Sequence, residues 1–290
     1  MNILFIFSAA AIAVNLLLSM VVYLFSLQKN FITYMISLIM ITVTSMLCLS
    51  WICAKFCGGM KGCIGKYEPK LSFSDNALLV VFGFGSCMTV NLIVSILVAL
   101  FPFMGGANSD ISDRTDSYSI MLMILAAAVS PALCEETAFR GFAMGSLADF
   151  GQGFAVVLSS LVFGMMHGNL SGILFAFSVG LVLACIRKTA GSLVPSALVH
   201  FLNNAFSVWM SAFSKSMNEE VYAEIILLFY VVMLLMTLVS GIIIYKRKWG
   251  LFEFSDNGCT LSTGEKVKLV LKSPFWWVFA VLAFIIGIAA

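Results

Sequence analysis

Three short stretches of this chain carry residue types that could do chemistry where hydrocarbon surrounds them. The first is Glu135-Glu136-Thr-Ala-Phe-Arg140, at the end of the apolar run SIMLMILAAAVSPAL. The second is Phe163-Gly-Met-Met-His167 and the third is His200-Phe-Leu-Asn-Asn204; together they hold the only two histidines of the protein. Ionisable groups beside hydrocarbon are costly, and a carboxylate there reads by default as a functional group. On an α-helix Glu136 and Arg140 share a face, in the order that favours an ion pair. Glu135 sits about 100° around from Glu136, so Arg140 holds Glu136 and leaves Glu135 free to meet something else. Phe163 and His167, and likewise His200 and Asn204, are one turn apart, with Asn203 close enough in angle to compete with Asn204.

Two chemistries suit a Glu, two His and an Asn, and the residues alone leave both open. In one, Glu135, His167 and His200 bind a metal, with zinc a possible one, which lowers the pKa of a bound water. In the other no metal is needed: Glu135 and His167 activate the water, and His200 and Asn204 donate hydrogen bonds to the oxyanion. Both hydrolyse an amide. The HExxH pattern of soluble zinc peptidases is absent, and so is a GxSxG serine elbow. Taken singly, each stretch has a bland reading, as a solvated helix end, a hydrogen-bonded core histidine or an interhelical asparagine. Their clustering within one third of the chain favours a site.

The elements that must position these residues are membrane helices. The chain has 290 residues, 61% hydrophobic and 10% charged, where soluble domains carry roughly 25% charged residues. Apolar segments fall at about 3–27, 31–54, 76–101, 119–139, 154–168, 171–186, 192–212, 224–245 and 270–290. The expectation is an all-α polytopic membrane protein of eight or nine transmembrane helices around a polar intramembrane chamber. It would be a single transmembrane domain over 1–290, with a core at about 119–212 and peripheral helices in 1–101 and 224–290. A β-barrel is excluded because these runs do not alternate apolar and polar residues. The first segment lacks a basic n-region and reads as a retained span. The connections 55–75 and 246–273 are the two long enough to hold structure, and 246–273 reads as a polar loop leading into the last helix.

Charge sets orientation. All but Lys29, Arg114 and Lys215 of the sixteen basic residues fall on one side of the alternating thread, including Lys70 and Arg140. Asp110, Asp113, Asp116, Glu219 and Glu220 fall on the other. The basic side is expected to be cytosolic, which puts the N-terminus in the cytosol and the C-terminus outside, in a bacterial cell membrane. A net charge of +2 implies no nucleic acid; the expected partners are membrane lipid and a peptide or protein substrate. Cys53, Cys57 and Cys63 are spaced unlike a zinc site and read as reduced thiols.

Depth arithmetic leaves one mismatch. Glu135 lies about 24 Å from the external end of its helix and His200 about 12 Å from the cytosolic end of its own, so the two meet. His167, about 20 Å from its helix start, overshoots them unless its helix starts later or tilts.

The three stretches, read as EExxxR, FxxxH and HxxxN, resemble the signatures of the CPBP intramembrane proteases, the family of type II CAAX prenyl endopeptidases and bacteriocin-processing or self-immunity (Abi) proteins. RGF after the first stretch and GSLVPSALVH before the third fit as well, and the resemblance covers roughly residues 120–210. It implies an intramembrane endopeptidase filed with the metallopeptidases. In it Glu135 activates water, His167 assists, His200 and Asn204 face the oxyanion, and Glu136 and Arg140 support the site. The competing readings are a non-catalytic bacteriocin-immunity or scaffold protein, and a proton-coupled transporter, which the lack of an internal repeat disfavours.

Overall fold

A computed structural model describes residues 1–68, 71–105, 115–214 and 216–289. Lys70, Asp110, Asp113, Arg114 and Lys215, which entered the charge count, lie outside the described residues. Every element among the described residues is helical: α1 (Asn2–Leu24), α2 (Phe31–Cys57), α3 (Gly59–Ile64), α4 (Phe73–Leu100), α5 (Ser117–Phe150), α6 (Gln152–Met165), α7 (Leu170–Ala190), α8 (Leu193–Ser214), α9 (Glu219–Lys246), α10 (Thr263–Lys272) and α11 (Pro274–Ala289). In lipid this is the economical solution, because a helix satisfies its own backbone amides.

Capping residues fix where many of these helices begin. Asn30, Ser72, Asp116, Asn169 and Asn218 each accept a hydrogen bond from a backbone N–H in the first turn that follows. Gly191, in the left-handed conformation, ends α7.

Among the described residues six helices are long and apolar enough to cross a membrane, or up to seven if the bent pair α10–α11 counts as one span. This is fewer than the eight or nine expected. The shortfall has two causes. Helix α6 is only 14 residues long, or about 21 Å, and α8 is long enough but diluted by His200, Asn203, Asn204 and its serines. The site itself makes α8 a poor lipid-facing helix.

The stretch 246–273 is more than a loop. It contains α10, which begins at a capping box of Ser262 and Glu265 and meets α11 at 74°.

The basic connections gather at one end of the bundle. Lys66 pairs with Asp149 at 2.6 Å and Arg247 pairs with Asp75. Arg187 donates to the Ile64 carbonyl at 2.8 Å, and Asn257 donates to the Ala148 carbonyl at 2.9 Å. At the opposite end Ser171 donates to the Gly105 carbonyl, joining the α6–α7 turn to the segment after α4.

Helices α5 to α8 pack on one another, and α4 packs against α7, α8 and α9. Close approach here depends on missing side chains. A Cβ on Gly83 of α4 would lie 2.3 Å from Ile186 and 2.8 Å from Val199, and one on Gly145 of α5 would lie 2.3 Å from the Cys63 carbonyl oxygen.

Candidate active site

Helix α5 brings Glu135, Glu136 and Arg140 to the site, but not as a regular α-helix. Wider π-helical turns at Leu125–Val129 and Thr137–Ala143 bracket the regular segment Ser130–Glu136. Such turns tend to occur at functional sites, because they redirect side chains and loosen backbone carbonyls. Arg140 lies within the second π-helical stretch and still reaches back: its Nη1 is 2.9 Å from Glu136 Oε1, with both side chains almost fully buried. Its Nη2 donates to the Gly180 carbonyl of α7 at 3.2 Å, and its guanidinium carbon stands 4.5 Å from the centre of the Phe163 ring. The buried guanidinium thus has an opposite charge, a carbonyl and an aromatic face beside it, while its Nη1 and Glu136 Oε2 make no hydrogen bond among the described residues.

Helix α8 supplies His200 on the same carboxylate. Its Nδ1–H donates to Glu136 Oε1 at 3.0 Å. Its Nε2 then faces Glu135 Oε2 at 3.8 Å, too far for a direct hydrogen bond. Glu135 is 18% exposed and Glu136 only 1%. The two adjacent carboxylates therefore differ in setting: Glu136 is held by Arg140 and His200, and Glu135 is the more accessible of the two.

His167 lies just past the end of α6, in the turn that leads to α7. Its Nδ1–H donates to the Phe163 carbonyl at 2.8 Å, which leaves Nε2 as the nitrogen with a lone pair. That bond folds the ring back towards Phe163, and the helix starts at Gln152, so a later start is not what brings His167 to the site. Phe163 is the common surface of the site, 4.6 Å from the His167 ring, 6.1 Å from the His200 ring and 5.0 Å from the Phe139 ring. His167 itself is exposed and lies within electrostatic range of Glu135 and His200.

Asn204 is anchored elsewhere. Its Nδ2 donates to the Ala127 carbonyl at 3.0 Å, within the first π-helical stretch, and its Oδ1 accepts from Asn203 Nδ2 at 3.1 Å. One Nδ2–H of Asn204 remains for another acceptor. Asn203, 3% exposed, is the residue that fixes the Asn204 amide plane. Sequence spacing placed Asn203 near the face without giving it this role.

The structure thus draws Arg140, His167 and His200 around Phe163, sets Glu136 and Glu135 against Arg140 and His200, and places Asn204 one turn beyond His200. As a zinc site the set is a poor fit. Both histidines keep Nε2 available, as ligand histidines would, but among the described residues no three His, Cys, Asp or Glu side chains form a group that could hold a metal ion. The eight cysteines, including Cys53, Cys57 and Cys63, are free thiols.

No curated protein and no solved structure matches the chain. Residues 117–206, from the start of α5 to beyond Asn204, match the family model described as Type II CAAX prenyl endopeptidase Rce1-like. That segment, about a third of this multi-pass membrane protein, holds all three motif stretches, and its match supports the resemblance to the CPBP family.

Proposed function

We propose that the chain is an intramembrane endopeptidase that hydrolyses a peptide bond of a membrane-associated protein or peptide, with water as the nucleophile. The observation that carries this reading is the gap of 3.8 Å between Glu135 Oε2 and His200 Nε2, opposite a carboxylate already neutralised by Arg140. Glu135 takes a proton from the attacking water, assisted by His167, whose free Nε2 can only accept. His200, with Nδ1–H committed to Glu136, donates from Nε2 to the tetrahedral oxyanion. A proton on that nitrogen balances the charges of Glu135, Glu136 and Arg140, and a balanced cluster is the cheaper one to bury. The spare Nδ2–H of Asn204 is the second donor. Collapse of the intermediate returns the proton from Glu135 to the leaving amine, so Glu135 serves as base and then as acid. Glu136 and Arg140 position His200 and do not touch the substrate.

The basic end of the bundle is the cytosolic one in this reading. The experiment is cleavage in liposomes containing membrane-anchored peptides, prenylated and unmodified, with new termini identified by mass spectrometry. Wild type cleaves and Glu135→Gln does not; cleavage by Glu135→Gln at the wild-type rate overturns the reading.

A further inference from the structure

Away from the site, the end of α9 runs into three consecutive cations, Lys246, Arg247 and Lys248. The middle one is neutralised, since Arg247 pairs with Asp75 of α4 and lies against the Trp249 ring, 5.4 Å from its centre. The outer two are exposed, and among the described residues neither has a carboxylate within ion-pairing distance. Lys248 adopts a left-handed conformation, φ 53°, which turns the chain back so that Lys246 and Lys248 line the same crevice.

That crevice has a volume of about 680 Å³. Phe82 of α4 and Gly241 and Ile244 of α9 form its apolar wall. A Cβ on Gly241 would meet the Phe82 ring at 3.3 Å, so the glycine keeps the groove between the two helices open. Trp249 and Tyr245 stand at the rim with the lysines, the residue types that settle at headgroup level. The turn is fixed from below: Lys188, buried in α7, donates to the carbonyls of Gly250 at 2.6 Å and Glu253 at 2.5 Å. Glu253 is the one acidic residue lining the crevice, against two lysines, so one positive charge is left over.

We infer that this crevice is a binding site for an anionic phospholipid. The acyl chain lies along Phe82, Gly241 and Ile244, and the phosphate sits between Lys246 and Lys248. The surplus of one positive charge matches a headgroup of net charge −1 and gives no preference for a zwitterionic one. The site stands outside the matched domain and does not depend on the peptidase reading.

The test uses wild type and the double variant Lys246→Gln/Lys248→Gln, each in nanodiscs of equal parts phosphatidylcholine and phosphatidylglycerol. Lipid adducts are read by native mass spectrometry after release. Wild type retains phosphatidylglycerol in preference to phosphatidylcholine, and the double variant loses that preference roughly tenfold or more. Because both lysines are exposed and, among the described residues, make no ion pair, the variant keeps the wild-type melting temperature. Lys268→Gln/Lys272→Gln, which removes two basic residues of α10 outside the crevice, leaves the preference intact. An unchanged preference in the first variant, or an equal loss in the second, overturns the inference.

Discussion

His200 donates Nδ1–H to Glu136 Oε1 across 3.0 Å, joining residues 64 apart in the chain. Through this bond α8 is registered against α5 so that the other ring nitrogen is turned towards Glu135. The adjacent glutamates consequently have unlike roles, and the first test separates them.

Glu136→Gln leaves Arg140 buried without its counter-charge. Breaking a buried pair by removing one partner costs about 3–5 kcal/mol, so thermal unfolding in detergent should show a clear fall in Tm. Glu135→Gln removes only the longer, more exposed contact with His200 at 3.8 Å and should cost less than Glu136→Gln, about 1 kcal/mol, while abolishing cleavage. Equal destabilisation by the two variants would contradict this division.

Asn204→Ala removes an oxyanion donor and should lower kcat roughly 100- to 1000-fold with little change in KM. Asn203→Ala acts only through the orientation of Asn204 and should lower kcat about tenfold. Steady-state kinetics on both variants tests the order; a larger loss at Asn203 would reverse the assignment.

The donor set predicts that chelation leaves cleavage unchanged. Metal content of detergent-purified protein, for wild type and for His167→Ala/His200→Ala, is the direct check. About one equivalent of zinc in wild type, lost in the double variant, would make the histidines metal ligands.

Gly145→Ala should destabilise the fold by about 1–3 kcal/mol, because its Cβ would fall 2.3 Å from a backbone oxygen of α3 that cannot swing aside. Gly264→Ala, with nothing within 4 Å, should be neutral or stabilising by up to about 1 kcal/mol. Paired denaturation curves would expose a helix contact different from the one described.

Orientation is measurable through Cys259, a partly exposed free thiol in the connection between α9 and α10. A membrane-impermeant maleimide should label it in inside-out vesicles and not in intact cells. Cys63 should stay unlabelled from both sides, since burial pushes its thiol up to about 11. Labelling of Cys259 in intact cells would invert the topology.

Much of this arrangement was legible in the chain. One-turn spacing foretold the contacts Glu136–Arg140 and Phe163–His167, because helical neighbours are set by local geometry alone. Helix α10 carried its own signal in Ser262-Thr-Gly-Glu265, and its charged face concealed it from a reading tuned to apolar runs. The number of membrane-crossing helices came out lower than expected, because hydropathy marks apolar runs but does not reveal that α6 is too short, or α8 too polar, to face lipid.

The sequence by itself determined the helical membrane class, the order of the segments and which polar residues share a helix face, all of which follow from local periodicity and the cost of polar groups in hydrocarbon. Tertiary structure decided the rest. That His200 bonds to Glu136 and only faces Glu135, that Phe163 joins three of the motif side chains, and that Asn203 steers Asn204 depend on how α5, α6 and α8 are rotated against one another. Packing fixes that rotation, through the π-helical turns of α5 and glycines that let backbones touch, and one-dimensional spacing carries no record of it.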